Sequence, residues 1–161
     1  MLRNTLFFSI ILAVCACSSE CEVELIIPTS VNTEIAMQNE VQIQDYLTRS
    51  NLTAQATSSG LHYIIDDAGG TNKADLCSDV TARYTGYLTN GYVFDTSDTL
   101  FTTFTLANTI LGWQEGIQFF GEEGKGTLLI PSKLAYGPNP PTSDIPENAV
   151  LVFDVEIAVI N

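Results

Sequence analysis

Basic residues are scarce in this 161-residue chain: six Lys and Arg stand against 19 Asp and Glu, for a formal net charge of −13. That balance argues against a nucleic-acid ligand, because phosphates are gripped by clustered Lys and Arg. The acids are scattered rather than run together, which suits solubility and points to no substrate. Histidine occurs once, at His62, with no Cys or carboxylate at ligand spacing, so no metal is expected, and His62 is expected to face solvent from a strand. There is no phosphate-cradling glycine loop, no internal repeat and no Ser/His/Asp constellation, so no cofactor is expected either. Long apolar runs are missing as well: Leu6–Val14 is too short to span a bilayer comfortably. What is present is 45% hydrophobic content, enough for the core of one domain.

The N-terminus sets the compartment. Arg3 supplies a positive start, Leu6–Val14 an apolar stretch, and small residues with cysteines follow, as in an export signal. The pattern resembles a bacterial lipoprotein signal, in which a small residue precedes a cysteine that becomes the lipid-bearing first residue. Cys17 has Ala16 before it and Ser18, Ser19 and Glu20 after it, whereas Cys15 follows the bulkier Val14. Cys17 is therefore the expected lipid site, residues 1–16 the signal, and the cell envelope the location; a plain secretory peptide is the alternative. Cys21 and Cys77 remain after cleavage, and an oxidising compartment permits them to pair or leaves two separate thiols.

Residues 17–38 read as a tether, since acids, Leu25–Ile27 and Pro28 follow no period. Asn39 with Gln42 three residues on resembles a capping box, and Ile43, Tyr46 and Leu47 form an apolar face, so a helix is expected over 39–49 within a 39–60 connection. From Leu61 onward the pattern turns to strands. Val80, Ala82, Tyr84, Gly86 and Leu88 share one face, Asn90-Gly91 signals a hairpin with positive φ at both residues, and Tyr92–Asp95 returns beside the first strand. Ile110, Trp113, Ile117 and Phe120 recur at helical spacing, giving a short helix with one inward stripe around the only tryptophan. Thr127–Ile130 and Val150–Ile160 read as strands, and the loop 137–146 carries four of the six prolines.

The order of these motifs resembles the FKBP-type peptidyl-prolyl cis-trans isomerases, their lipoprotein members in particular. The blocks are YTGYL at 84–88, NGYVFDTS at 90–97, FTLANTILGWQEG at 104–116, LLIPSKLAYG at 128–137 and IPENAVLVFDVEI at 145–157. The resemblance covers 61–161 and implies an α+β fold, a twisted antiparallel sheet wrapped around one short helix. It implies a pocket with Trp113 as floor and Tyr84, Phe94, Phe104, Ile110, Tyr136 and Phe153 as sides. Asp95, the Tyr136 hydroxyl and the Ile110 N–H would be its polar contacts. Proline-containing polypeptide clients, an N-terminal lipid in the membrane and inhibitors of the macrolide type are the partners so implied.

The chain departs from the family pattern in the loop before Ile145, where Pro141 and Asp144 stand in place of a histidine and an apolar residue. Pro141, Asp144 and Ile145 are thus expected to form a substrate loop of altered preference. Thr109, Phe120, Glu123 and Glu147 are further departures, and the Phe94-to-Trp113 connection is short. The rival function is a non-catalytic module that holds proline-containing segments in the same pocket.

Overall fold

A computed structural model describes residues 21–28 and 32–161. The expected signal and the lipid site at Cys17 lie outside them. The elements in chain order are α1 (Thr33–Ser50), β1 (Gln55–Ala56), β2 (His62–Asp67), β3 (Asp79–Leu88), β4 (Val93–Thr96), β5 (Thr102–Thr105), α2 (Leu111–Gly116), β6 (Lys125–Ile130) and β7 (Leu151–Ile160). The strands form one antiparallel sheet in the order β1-β2-β6-β7-β3-β4, and β5 pairs with the first half of β3 on the edge that β4 occupies further on. This is the α+β arrangement of a sheet around one short helix. Two helices, however, pack on it from opposite faces.

The central pair is β3 with β7, in register from Val80↔Ile160 to Leu88↔Leu151 with one shift between Thr81 and Ala82. Alternation in β3 buries Val80, Ala82, Gly86 and Leu88. On that face α2 closes the main core with Trp113, Ile117, Phe120, Leu128, Ile130, Phe153 and Val155. Contact between α2 and β6 is so close that a Cβ on Gly112 would meet Ile130 Cγ2 at 2.3 Å, and one on Gly116 would meet Leu128 Cδ2 at 2.7 Å. The α-helix is only six residues long. It tightens into a 3-10 turn over Ile117–Phe119, which still delivers Ile117 and Phe120 fully buried, while Ile110 stands at the N-cap position.

The first helix differs from its expectation. Its N-cap is Asn32, whose side chain accepts from the N–H groups of Glu34 and Ile35 at 3.0 and 3.4 Å, so α1 starts at Thr33 and not at Asn39. Asn39 is instead a buried mid-helix residue: its Oδ1 accepts from Ser132 N at 2.8 Å and its Nδ2 donates to Asn148 O at 3.0 Å. A polar side chain three residues before a glutamine looks like a cap in sequence, but here it sits on the helix face that meets the domain. Asn39, Ile43 and Leu47 lie one turn apart and dock with Leu129, Val150 and Val152 on the outer face of the sheet. Burying Ile43 and Leu47 contributes on the order of 1.5–3 kcal/mol each.

The same docking overturns the expectation for His62. It is 5% exposed, with Nδ1 3.2 Å from Gly60 O and Nε2 3.4 Å from the Gln44 amide and 3.5 Å from Glu40 Oε1. The strand face that alternation would leave to water is covered by α1.

The β3–β4 hairpin also departs in detail. Of the Asn90-Gly91 pair only Gly91 has a positive φ, at 89°. Gly91 N donates to Leu88 O at 2.8 Å, so the turn is centred on Thr89-Asn90 and Gly91 leads into β4.

The segment 21–28, read from sequence as tether, is fastened to the domain. Cys21, Leu25 and Ile27 pack on the main core, and Cys21 is disulfide-bonded to Cys77 with a Cα–Cα distance of 5.7 Å. Asp75 lies beside the two sulfurs, but these are bonded to each other, and Asp75 accepts from Cys77 N and Ser78 Oγ as the cap of its turn. Among the described residues no helix is long and apolar enough to cross a membrane.

Candidate functional site

A cleft of about 460 Å³ opens between the start of α2, the β3–β4–β5 corner and β7. Trp113, 4% exposed, forms its floor. Three rings meet it nearly edge-on: Tyr84 at 5.1 Å and 89°, Phe104 at 5.1 Å and 63°, and Phe153 at 5.2 Å and 84°. Edge-to-face contacts of this kind stabilise beyond simple burial, by roughly 0.5–1.5 kcal/mol per pair. They fix the walls at a width set by the ring edges.

Of the eight side chains expected around the pocket, seven line this cleft: Tyr84, Asp95, Phe104, Ile110, Trp113, Tyr136 and Phe153. Phe94 does not. Its ring stands 5.5 Å from Phe153 at 87° and packs edge-on against that wall. β4 is bulged at this point: Gly86 pairs with Asp95 and Tyr87 with Val93, leaving Phe94 as the extra residue. That bulge lets two successive side chains, Phe94 and Asp95, serve the same side of the sheet.

Polar groups in the cleft are few. The Tyr84 hydroxyl donates to Asp95 Oδ2 at 3.0 Å, and Asp95 itself is exposed at the mouth. Burial, then the hydrogen bond to Asp95, pushes the Tyr84 phenol from its ordinary 10.0 up to about 12. Burial and the Asp95 charge also raise Tyr136. Among the described residues no His, Cys, Lys or Arg lines the cleft, so it offers no base of the kind that works near neutral pH. An apolar, narrow, nearly aprotic site can bind a compact ring against Trp113 and strip water from the bonds beside it. It is not equipped for proton transfer or nucleophilic attack.

Two lining residues went unnoticed in the sequence, Thr102 and Asn108. Thr102 lies two residues before Phe104 on β5, so the period-2 rule would have found it. Asn108 sits in a 3-10 turn, where no period applies. Thr109, noted in sequence only as a departure, also lines the cleft. The expected substrate loop divides. Ile145 is buried in the main core, Pro141 and Asp144 are exposed, and none of the three lines the cleft.

Comparison with known proteins gives the same picture. The family model for FKBP-type peptidyl-prolyl cis-trans isomerase matches residues 70–158. The FKBP-type peptidyl-prolyl cis-trans isomerase FkpA of Aeromonas hydrophila is 40% identical over 129 residues, which is 78% of this chain and 48% of that protein. A protein of Legionella longbeachae named outer membrane protein MIP is 36% identical over 62% of this chain and 43% of its own length. The chain therefore spans less than half of each of these relatives. The crystal structure of FkpA from Escherichia coli superposes with a TM-score of 0.69 at 33% identity, covering 80% of this chain and 62% of that one. The matched segment runs from the turn before β3 almost to the end of β7 and so contains five of the seven strands, the Trp113 helix and every residue lining the cleft. On that match, the chain belongs to the family of FKBP-type peptidyl-prolyl cis-trans isomerases.

Proposed function

We propose that this protein catalyses cis–trans isomerisation of X-Pro bonds in polypeptides. The observation that carries the reading is the Trp113 floor with three rings set edge-on around it in a cleft that holds one carboxylate and no base. Rotation about an X-Pro bond is slow because amide resonance must be broken, at a barrier of about 18–20 kcal/mol. No bond is made or cleaved and no proton changes place. In the twisted transition state the nitrogen loses conjugation and the carbonyl loses dipolar character, so water favours the planar ground state. Aromatic walls remove that water, and contact of the proline ring with Trp113 supplies binding energy for the twist. Each ~1.4 kcal/mol realised only in the twisted state is worth about tenfold in rate. We assign the Ile110 N–H and the Tyr136 hydroxyl as donors to carbonyls of the bound chain, with Asp95 acting through its charge and through the Tyr84 hydroxyl.

Macrolide-type compounds that mimic the proline ring should compete for the cleft. The exposed Pro141 and Asp144, on a loop rooted in the core by Ile145, are assigned to the choice among longer peptides. From the Ala16-Cys17-Ser18 pattern we infer a lipid on Cys17 and clients among exported proteins of the cell envelope. A relative bearing the name of an outer membrane protein supports that location.

The test is an isomer-sensitive proline-peptide assay on the mature protein and on Trp113→Leu. Acceleration by the wild type that Trp113→Leu abolishes, with the fold retained, is expected; no acceleration by the wild type overturns the reading. Mass spectrometry of the mature N-terminus tests the anchor: an unlipidated residue, or lipid on Cys15, overturns the assignment to Cys17.

A further inference from the structure

We propose that Gln114 is a positioning residue that holds the Asn108–Ile110 rim of the cleft so that the Ile110 N–H faces the substrate carbonyl. Helix α2 has no side-chain cap at its N-terminus, and Ile110 occupies the cap position. Gln114, in the first turn, instead reaches back with both hydrogens of its amide: Nε2 donates to Ala107 O at 3.0 Å and to Thr109 O at 2.7 Å. The start of this segment is held from the other side, where Leu106 N donates to Ser78 O at 3.0 Å and Ala107 N to Leu76 O at 2.9 Å. Beyond Ala107 that support stops. Thr109 N and Thr109 Oγ1 both bond Leu106 O, within the turn itself.

The tie between the rim and the rest of the fold therefore runs through Gln114 and through the Ile110 carbonyl, which accepts from Trp113 N at 2.9 Å and Gln114 N at 3.1 Å. With the Thr109 carbonyl taken by Gln114 and the Ile110 carbonyl taken by the helix, the peptide between them is fixed at both ends. Among the described residues the Ile110 N–H has no acceptor, so it is free to meet one that binds in the cleft. A donor fixed before binding costs no ordering when the ligand arrives. The residue touches neither the proline ring nor the reacting bond, so its effect should fall on binding and not on the twist.

This inference rests on the isomerase reading, and the experiment separates the two. Gln114→Met keeps the bulk and helix preference of the side chain but removes both donors; Gln114→Ala removes donors and bulk. Three quantities are measured on the folded mature protein: KM and kcat for a proline peptide, Kd for the same peptide by titration, and amide hydrogen exchange at Ile110. The expected result is a rise in KM and Kd of roughly three- to tenfold in both variants, with kcat within about twofold, and faster exchange at Ile110. Space filling alone would leave Gln114→Met like the wild type and damage only Gln114→Ala, which would overturn the proposal. A fall in kcat with unchanged KM, or unfolding of both variants, would overturn it as well. Should the wild type lack isomerase activity, the reading of function fails, while Kd and Ile110 exchange still decide the role of Gln114.

Discussion

The Tyr84 hydroxyl donates to Asp95 Oδ2 at 3.0 Å across the β3–β4 pair, joining the wall of the cleft to the carboxylate at its mouth. The bond needs the phenol protonated, and burial with Asp95 beside it moves the Tyr84 pKa from 10.0 up to about 12. Tyr87, on the other face of β3, is raised in the same direction by burial, by its hydrogen bond to Tyr46 and by Asp154. A group whose folded pKa lies above its unfolded value favours folding fully below the unfolded pKa and loses that contribution as pH rises through the folded one. Unfolding free energy should therefore lose nothing to these tyrosines between pH 7 and 9 and fall between pH 10 and 12. Denaturant titrations across that range check it, with Tyr84→Phe expected to flatten part of the fall.

Gly86 and Phe153 face each other on β3 and β7, and a Cβ at Gly86 would lie 2.6 Å from the Phe153 ring and 2.9 Å from Phe94. Gly86→Ala must displace the Phe153 ring, the Phe94 ring or both. Overpacking of this kind costs roughly 1–3 kcal/mol. Displacement of Phe153 also disturbs its edge-on contact with Trp113. Thermal melts should show the modest loss, while kcat/KM should fall by about tenfold or more, out of proportion to the fraction unfolded.

The strands of the sheet were legible because alternation is a local signal, and the single Trp in an i, i+3, i+7 stripe marked the buried helix. What stayed hidden depended on partners distant in sequence. Asn39 read as a cap because its partners, Ser132 N and Asn148 O, lie about a hundred residues away. His62 read as solvent-facing because nothing near it shows that α1 covers that face. The β4 bulge at Phe94 is invisible to a period-2 count, yet it is what sets Phe94 and Asp95 on the same side of the sheet. Gln114 carries no sequence signal at all, since its acceptors are backbone carbonyls.

The Cys21–Cys77 bond closes a separation of 56 residues and pins 21–28 to the turn before β3. In the chain-entropy picture a loop of that size is worth about 4 kcal/mol. Cys77→Ser, or reduction of the wild type, should lower unfolding free energy by up to that amount. The turn also matters to the cleft, because Leu76 O and Ser78 O, on either side of Cys77, hold Ala107 and Leu106. Reduction should accordingly speed hydrogen exchange at Leu106 and Ala107 before global unfolding begins. Quantitative labelling of both thiols in the native protein would show instead that the bond is not formed.

Chemistry by shape and dryness makes a different forecast from chemistry by acid and base. The titratable groups lining the cleft are Asp95, Tyr84 and Tyr136, and both phenols are raised. No His, Cys, Lys or Arg lines the cleft and both phenols ionise above their ordinary range, so kcat/KM should be flat from pH 6 to 9. Substitutions should then rank by damage to the walls. Trp113→Ala removes the floor and Phe153→Ala a wall that also carries Phe94, so each should lower kcat/KM by about 100-fold, equivalent to ~2.7 kcal/mol. Phe94→Ala leaves the lining intact and only loosens Phe153, so its loss should be smaller, on the order of tenfold. Asp95→Asn keeps an acceptor for Tyr84, and Tyr136→Phe keeps the ring; each should cost only a few-fold. Large-to-small changes at buried rings also cost about 3–5 kcal/mol of stability, so every variant is first shown to be folded at the assay temperature. A bell-shaped profile with a limb near pH 7, or a loss in Asp95→Asn exceeding that in Trp113→Ala, would mean that polar chemistry and not desolvation drives the rotation.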